Sequence, residues 1–411
     1  MSRHEEYPLT PYDEYPVHQA PYPVSYIPTT DYAWDEGYFY GVYSAEAQVF
    51  LITGMRVNPN ADVVGAHAGV NVRGRQRTVR LSRTWRRQCY TAIGPLRYDV
   101  IEPYRDIRLS LEPNEAGVAF DVHWLGLGPA HLSQHHLATV RGRRTTDQTR
   151  YNQVGVARGW IEVAGERFAV DASTWGACRD HSWGIYEARP PLVPDTKWLP
   201  PPEQRGPKRA MRFSMFFAAG AYAGHLHLHE DEDGNQVPMN DAFGIPFEGG
   251  IDRGFDAPRI HLEKCSHELV FVPGTRSLQR GTLRMVDEAN GAWTVTFELA
   301  WPPAPVIQAG YHQGSWRDGG TIATYHGHAD PYLEWDEFDF SRQPAAHTLY
   351  GQTQARTVCG VEHVVRIRLT DPQGKVSDGL AEIEVFLNGR YAPYGFKAQE
   401  AQGGLTGRGV L

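Results

Sequence analysis

The sequence predicts an all-β protein of two antiparallel β-barrel or sandwich domains joined by a proline-rich linker. Three observations predict it. Apolar and polar residues alternate with period two in one stretch after another, as in Gly117-Val118-Ala119-Phe120-Asp121-Val122-His123-Trp124. Turn signals separate these stretches at short spacing. The chain, at 411 residues, is also longer than one hydrophobic core usually serves.

The elements follow in order. Residues 1–30 read as an extended arm, because Tyr7-Pro8, Tyr15-Pro16 and Tyr22-Pro23 repeatedly push the residue before proline out of helical geometry. A first β-domain spans 31–190. Within it, residues 153–170 alternate and break at Ala164-Gly165-Glu166 in the manner of a hairpin. Residues 191–207 carry Pro191, Pro194 and Pro200-Pro201-Pro202 among charged residues, and are expected to be a linker or extended crossover. A second β-domain spans 208–398. Its clearest hairpin pairs 282–286 with 293–297 across Asn290-Gly291, and another pairs 364–369 with 381–386. Residues 399–411, rich in glycine, form a tail.

Bulk properties exclude several function classes. A net charge of -8 argues against a surface that tracks nucleic-acid phosphates. The arginines at 73, 75 and 77, at 86–87 and at 141, 143 and 144 are expected on solvated strand faces. Cys89, Cys178, Cys265 and Cys359 show no CxxC spacing, so neither a disulfide framework nor a zinc knuckle is suggested. With no apolar leader and no run long enough to cross a bilayer, the expectation is a cytoplasmic protein without a membrane span. Phosphate loops, nucleophile elbows and HExxH motifs are absent.

Chemistry-bearing residues are densest between Asp171 and Gly184, around Cys178-Arg179-Asp180-His181-Ser182-Trp183. An extended backbone here puts Arg179, His181 and Trp183 on one face and Cys178, Asp180 and Ser182 on the other. An imidazole beside an indole provides a proton donor or acceptor near neutral pH, next to a π-face able to hold positive charge. Asp180 could back His181 only through a bulge. The alternative is that Asp180 and His181 are buried polar residues satisfying backbone groups between the halves.

Arg179-Asp180-His181-Ser182-Trp183-Gly184 resembles the Asp-His-x-Trp-Gly signature of the hydroxyneurosporene synthase (carotenoid 1,2-hydratase) family, with its AttH-like relatives. Tocopherol cyclases and fungal lipocalin-like Diels–Alderases are similar in architecture. The likeness extends over most of residues 35–396, although only the short motif is specific. It implies two lipocalin-like domains and a site in a cavity between them. His181 and Trp183 would be catalytic there, joined by a Tyr and an Asp from the second domain. Tyr222 and Asp231 lie in the corresponding region, but the Tyr-x-Asp spacing is absent.

Other candidates are more ambiguous. His225-Leu226-His227-Leu228-His229 places three histidines on one strand face, expected to be a solvent or cavity face. Neighbours two apart could share a metal, yet no further ligand is set by spacing, and no metal is assigned. Asp231-Glu232-Asp233-Gly234 reads as a hairpin turn before a calcium loop. Residues 325–336, with Tyr325 and His326, are a second candidate for lining a pocket, and Gln134-His135-His136 a weaker one.

Three functions stay open at this level. The first is a cofactor-independent acid–base enzyme acting on an apolar terpenoid-like or aromatic small molecule: a hydratase or dehydratase, a cyclase or an isomerase. His181, Asp180 and Trp183 would be catalytic, and Arg179, Trp175, Tyr222, His225, His227, Tyr325 and His326 would contact substrate. The second is a lipocalin-like carrier of a hydrophobic ligand. The third is a carbohydrate-binding or carbohydrate-processing protein.

Overall fold

The computed structural model describes residues 9–18, 20–86, 90–140, 142–186, 209–238, 245–301, 310–311, 316–326, 331–341, 345–349, 352–356, 362–387 and 389–397. The expected linker and the tail lie outside these residues.

The fold is all-β, in two parts. The first sheet begins with four long meander strands: β1 (Trp34–Ser44), β2 (Val49–Asn58), β3 (Val63–Val72) and β4 (Arg75–Thr84). Shorter strands follow: β5 (Ala92–Ile93), β6 (Leu96–Glu102), β7 (Asp106–Leu111), β8 (Val118–Gly126), β9 (His131–Leu132) and β10 (His136–Val140). The 21-residue β11 (Arg143–Val163), β12 (Glu166–Val170) and β13 (Gly176–Tyr186) complete it. The β11–β12 hairpin turns at Ala164 and Gly165, both with positive φ. β13 inserts between β1 and β11, so the motif strand is central.

The second part is a closed barrel. Its strands are β14 (Met211–Ala219), β15 (Tyr222–Glu230), β16 (Phe247–Asp252), β17 (Ile260–Phe271), β18 (Leu278–Asp287) and β19 (Ala292–Leu299). The chain then leaves the barrel. β20 (Tyr332–Asp339), β21 (Ala345–Leu349) and β22 (Gln352–Arg356) extend the first sheet beyond β4. Finally β23 (Glu362–Thr370) and β24 (Val376–Leu387) return to close the barrel between β19 and β14. Residues 332–356, in the second half of the sequence, thus belong spatially to the first sheet. Buried ion pairs hold them there: Arg80 meets Glu334 and Asp336, each at 3.0 Å.

Alternation sorts the side chains. Tyr40, Val42, Leu51, Met55, Ala66, Val79, Leu81, Trp124 and Ala177 fill the inside of the curled first sheet. Leu226, Leu228, Leu283, Val295 and Ile383 fill the barrel. Where the outer face of the first sheet meets the outside of the barrel, Tyr43, Phe50, Ile52 and Cys178 pack with Phe216, Ala223 and Val364. The clustered arginines pair with carboxylates, as in Arg73–Glu166, Arg77–Glu337 and Arg144–Asp147. Among the described residues no helix is long and apolar enough to cross a membrane.

Candidate functional site

β13 pairs without a bulge to β1 on one side and β11 on the other. Regular pairing keeps the alternation intact, so Arg179, His181 and Trp183 face the inside of the first sheet. Neighbouring strands extend this face as rows. Glu36, Trp183 and Thr149 form the outermost row, then Tyr38, His181 and Tyr151, then Tyr40, Arg179 and Gln153. Burial deepens in the same order. The Glu36 side chain is 47% exposed and that of His181 14%, while Arg179 is 3% exposed. The motif therefore runs from an open rim into the interior.

His181 is held on three sides. Its ring stacks on Tyr38 at 4.1 Å, and Trp183 lies 5.2 Å away. Nε2 is 2.9 Å from Glu36 Oε1, and Nδ1 is 3.1 Å from the Tyr151 hydroxyl. A carboxylate can only accept, so Nε2 carries the hydrogen and Nδ1 accepts from Tyr151. From the arm, Tyr12 comes close enough that burial and then the Glu36 charge raise its phenol.

Below His181, the Arg179 guanidinium donates from Nε and Nη2 to Gln153 Oε1, at 3.0 and 2.7 Å. It lies over Trp124 at 4.8 Å and Tyr151 at 5.1 Å. Gly155 makes room for that indole, since a Cβ there would come within 2.7 Å of it. Burial pushes the Tyr151 phenol up to about 12 and raises Tyr40 too, while Arg179 pulls both down.

The other expected site residues lie elsewhere. Asp180 faces the barrel, with no bulge to turn it toward His181; its Oδ2 is 3.6 Å from Arg150, and its Oδ1 has no hydrogen-bond partner. The interface between the two parts thus runs along the opposite face of β13 from His181. This corrects the expectation of a His181 site between domains. Trp175 is a core residue packed inside the first sheet.

His225 and His227 are buried against the first sheet rather than on a solvent face. The barrel's convex side is covered there by β9 to β11. His225 packs on Phe216 at 4.6 Å, and His227 Nε2 accepts from Arg212 Nε at 3.2 Å. Burial holds both imidazoles, and that of His229, well below their ordinary range.

Tyr222 and Asp231 sit at opposite ends of β15, roughly 30 Å apart by strand rise. They cannot serve one site. Tyr222 donates to Asp371, whereas Asp231 caps its turn by accepting from the Asp233 and Asn235 amides. Tyr325 is exposed, and His326 stacks on Trp316 at 4.1 Å above Arg80, on the sheet face opposite His181.

Among the described residues, no group of three or more His, Cys, Asp or Glu is arranged to hold a metal ion. A surface cleft of about 730 Å3 is lined by Glu46, Arg280, Arg366 and Asp378, none of which belongs to the rows around His181. Sequence reasoning missed Glu36, Tyr38, Tyr151 and Gln153. Their signal lies in strand register, which joins residues far apart in sequence.

Kievitone hydratase from Nectria haematococca is similar over 93% of this chain and 96% of its own, at 8% identity and a TM-score of 0.39. CghA in complex with Sch210972 is similar over 86% of this chain and 88% of its own, at 7% identity and a TM-score of 0.44. At these values neither structure speaks to what this chain does. No curated protein matches the sequence. One family model, described as "Family of unknown function (DUF8625)", matches residues 9–397, and the chain belongs to that family.

Proposed function

We propose that the chain is an enzyme that moves a proton on an apolar or aromatic small molecule held at the open end of the first sheet. The proton passes through a Glu36–His181–Tyr151 relay. The observation that carries this reading is the double engagement of one imidazole. A carboxylate at 2.9 Å orients it through Nε2, and a hydroxyl at 3.1 Å uses Nδ1. This is the arrangement in which a base, positioned by a carboxylate, draws a proton from a hydroxyl. Glu36 thereby takes the role that the sequence suggested for Asp180. Tyr151 is the group that meets the substrate, His181 stores the proton, and Trp183 walls the rim.

Hydration, dehydration, isomerisation and cyclisation all need such a transfer. The reading calls on no organic cofactor and no metal. The test is incubation in D2O with a panel of apolar alkenes, alcohols and phenols, read by mass for deuterium uptake and conversion. Wild type is expected to label or convert at least one compound. His181→Gln is expected to lose about 10²–10⁴ of that rate, and Tyr151→Phe to lose a comparable amount. Binding without labelling by wild type sinks the enzyme reading and favours a carrier.

A further inference from the structure

We infer that Arg179 is an oxyanion-binding site: the molecule handled at His181 carries a carboxylate, phenolate or enolate that the Arg179 guanidinium holds. This rests on the His181 relay for its chemistry, but not for its binding prediction.

A buried cation is costly unless it is paired. Two other buried arginines, and the half-buried Arg212, are paired with carboxylates. Arg56 holds Asp35 at 3.2 Å, Arg80 holds Glu334 and Asp336 at 3.0 Å, and Arg212 holds Glu384 at 2.8 Å. Arg179, only 3% exposed, has neutral partners: the Gln153 amide oxygen for two of its nitrogens and the Tyr40 and Tyr151 hydroxyls beside it. No carboxylate pairs with it among the described residues.

The surroundings hold the guanidinium in place without neutralising it. Gln153 Nε2 donates to the carbonyls of Tyr104 and Gly128, each at 2.7 Å. Both amide hydrogens are committed, so Oε1 must point at Arg179. Aromatic faces of Trp124, Tyr151 and Tyr104 surround the cation at 4.8, 5.1 and 5.8 Å. The Tyr40 hydroxyl beside it is a donor that an oxyanion could share, whereas the Tyr151 hydrogen is already given to His181 Nδ1.

Arg179 and His181 are two residues apart on one strand face, so their Cα atoms are separated by roughly 6.6 Å. Tyr151 touches both. An oxyanion on Arg179 therefore sets the adjoining carbon beside the relay. When that carbon's C–H bond breaks, its proton goes to the relay and its electron pair goes to the carbonyl oxygen held by Arg179. Returning the proton at another carbon gives isomerisation; return of the electron pair from that oxygen, forming the C=C bond as a β-hydroxide departs with the relay's proton, gives dehydration. A buried cation this close disfavours a carbocation, so the charge that develops is negative, contrary to what Trp183 alone suggested.

The test measures binding of 4-phenylbenzoate, its neutral isostere 4-phenylbenzamide, and 4-phenylphenol below and above its own ionisation, by calorimetry on the full chain. Wild type should prefer an anionic probe over the neutral amide by about tenfold or more, the worth of a charge-assisted contact. The phenol arm separates carboxylate from phenolate recognition. Arg179→Gln should abolish the preference through loss of anion affinity alone. If Arg179→Gln does not fold, Gln153→Glu is decisive: it sets a carboxylate beside the guanidinium, at the loss of the two amide hydrogen bonds to the Tyr104 and Gly128 carbonyls, and should erase the preference while amide binding persists. His181→Gln should keep the preference yet lose deuterium exchange, which separates failure of the relay from failure of the oxyanion site. Equal affinity of wild type for anion and amide, a preference that survives Gln153→Glu, or no binding of any probe would each overturn the inference.

Discussion

Acidification should unfold this protein far above the pH at which its carboxylates alone would respond. His67, His136, His225, His227 and His229 are buried, and burial holds each imidazole below its ordinary range, His67 and His136 at about 3. Each is neutral in the fold, but takes a proton in the unfolded chain below about pH 6.5. The unfolded state then binds more protons, so stability is full above that value and is lost as pH falls toward the native values. Glu362 and Glu382 have the opposite sign. Burial raises both carboxyls, so the fold keeps protons that the unfolded chain releases above about pH 4.5. Five groups against two leave a net uptake of three protons on unfolding. That corresponds to a slope of about 4 kcal/mol per pH unit between roughly pH 5.5 and 4.5. Against a typical stability of about 5–15 kcal/mol, two pH units would exhaust most folds. The assay is the urea midpoint by tryptophan fluorescence at pH 7.5, 6.5, 5.5 and 5.0. His227→Gln should lower the slope by about one proton, or 1.4 kcal/mol per unit. A midpoint that stays flat or rises between pH 7 and 5 refutes the reasoning.

Two further predictions concern packing. Arg80→Met strands the buried carboxylates of Glu334 and Asp336, and should cost about 3–5 kcal/mol in urea unfolding. Proteolysis of that variant should begin around residues 332–356, which Arg80 ties to the first sheet. Gly184→Ala puts a side chain where φ is +126° and where a Cβ would lie 2.1 Å from the Asp147 carbonyl. It should cost about 1–3 kcal/mol, visible as a lower Tm. An unchanged Tm would mean that the motif's glycine has no backbone role.

Much of the fold was legible because a half-buried strand writes its geometry locally. The alternation of residues 117–124 is that of β8, and Asn290-Gly291 marks the β18–β19 hairpin, with Asn290 at φ 63°. The division of faces around His181 was legible for the same reason, since side-chain direction in a regular strand depends only on parity. The destination of β20 was not. Glu334 and Asp336 look like acidic loop residues until Arg80 is seen opposite them. The histidines of β15 were placed correctly by face and incorrectly by environment, because nothing local tells which faces another domain will cover.

By itself, then, the sequence determined the strands and their inward and outward faces, which follow from period-two alternation. Tertiary structure alone decided the partners. Strand register set Tyr38 and Tyr151 across from His181, brought Glu36 to its Nε2, and placed neutral Gln153 where a carboxylate would have cancelled Arg179. Pairing between strands far apart in sequence is a property of the whole sheet, and one residue of slip would have turned every one of those side chains to the other face.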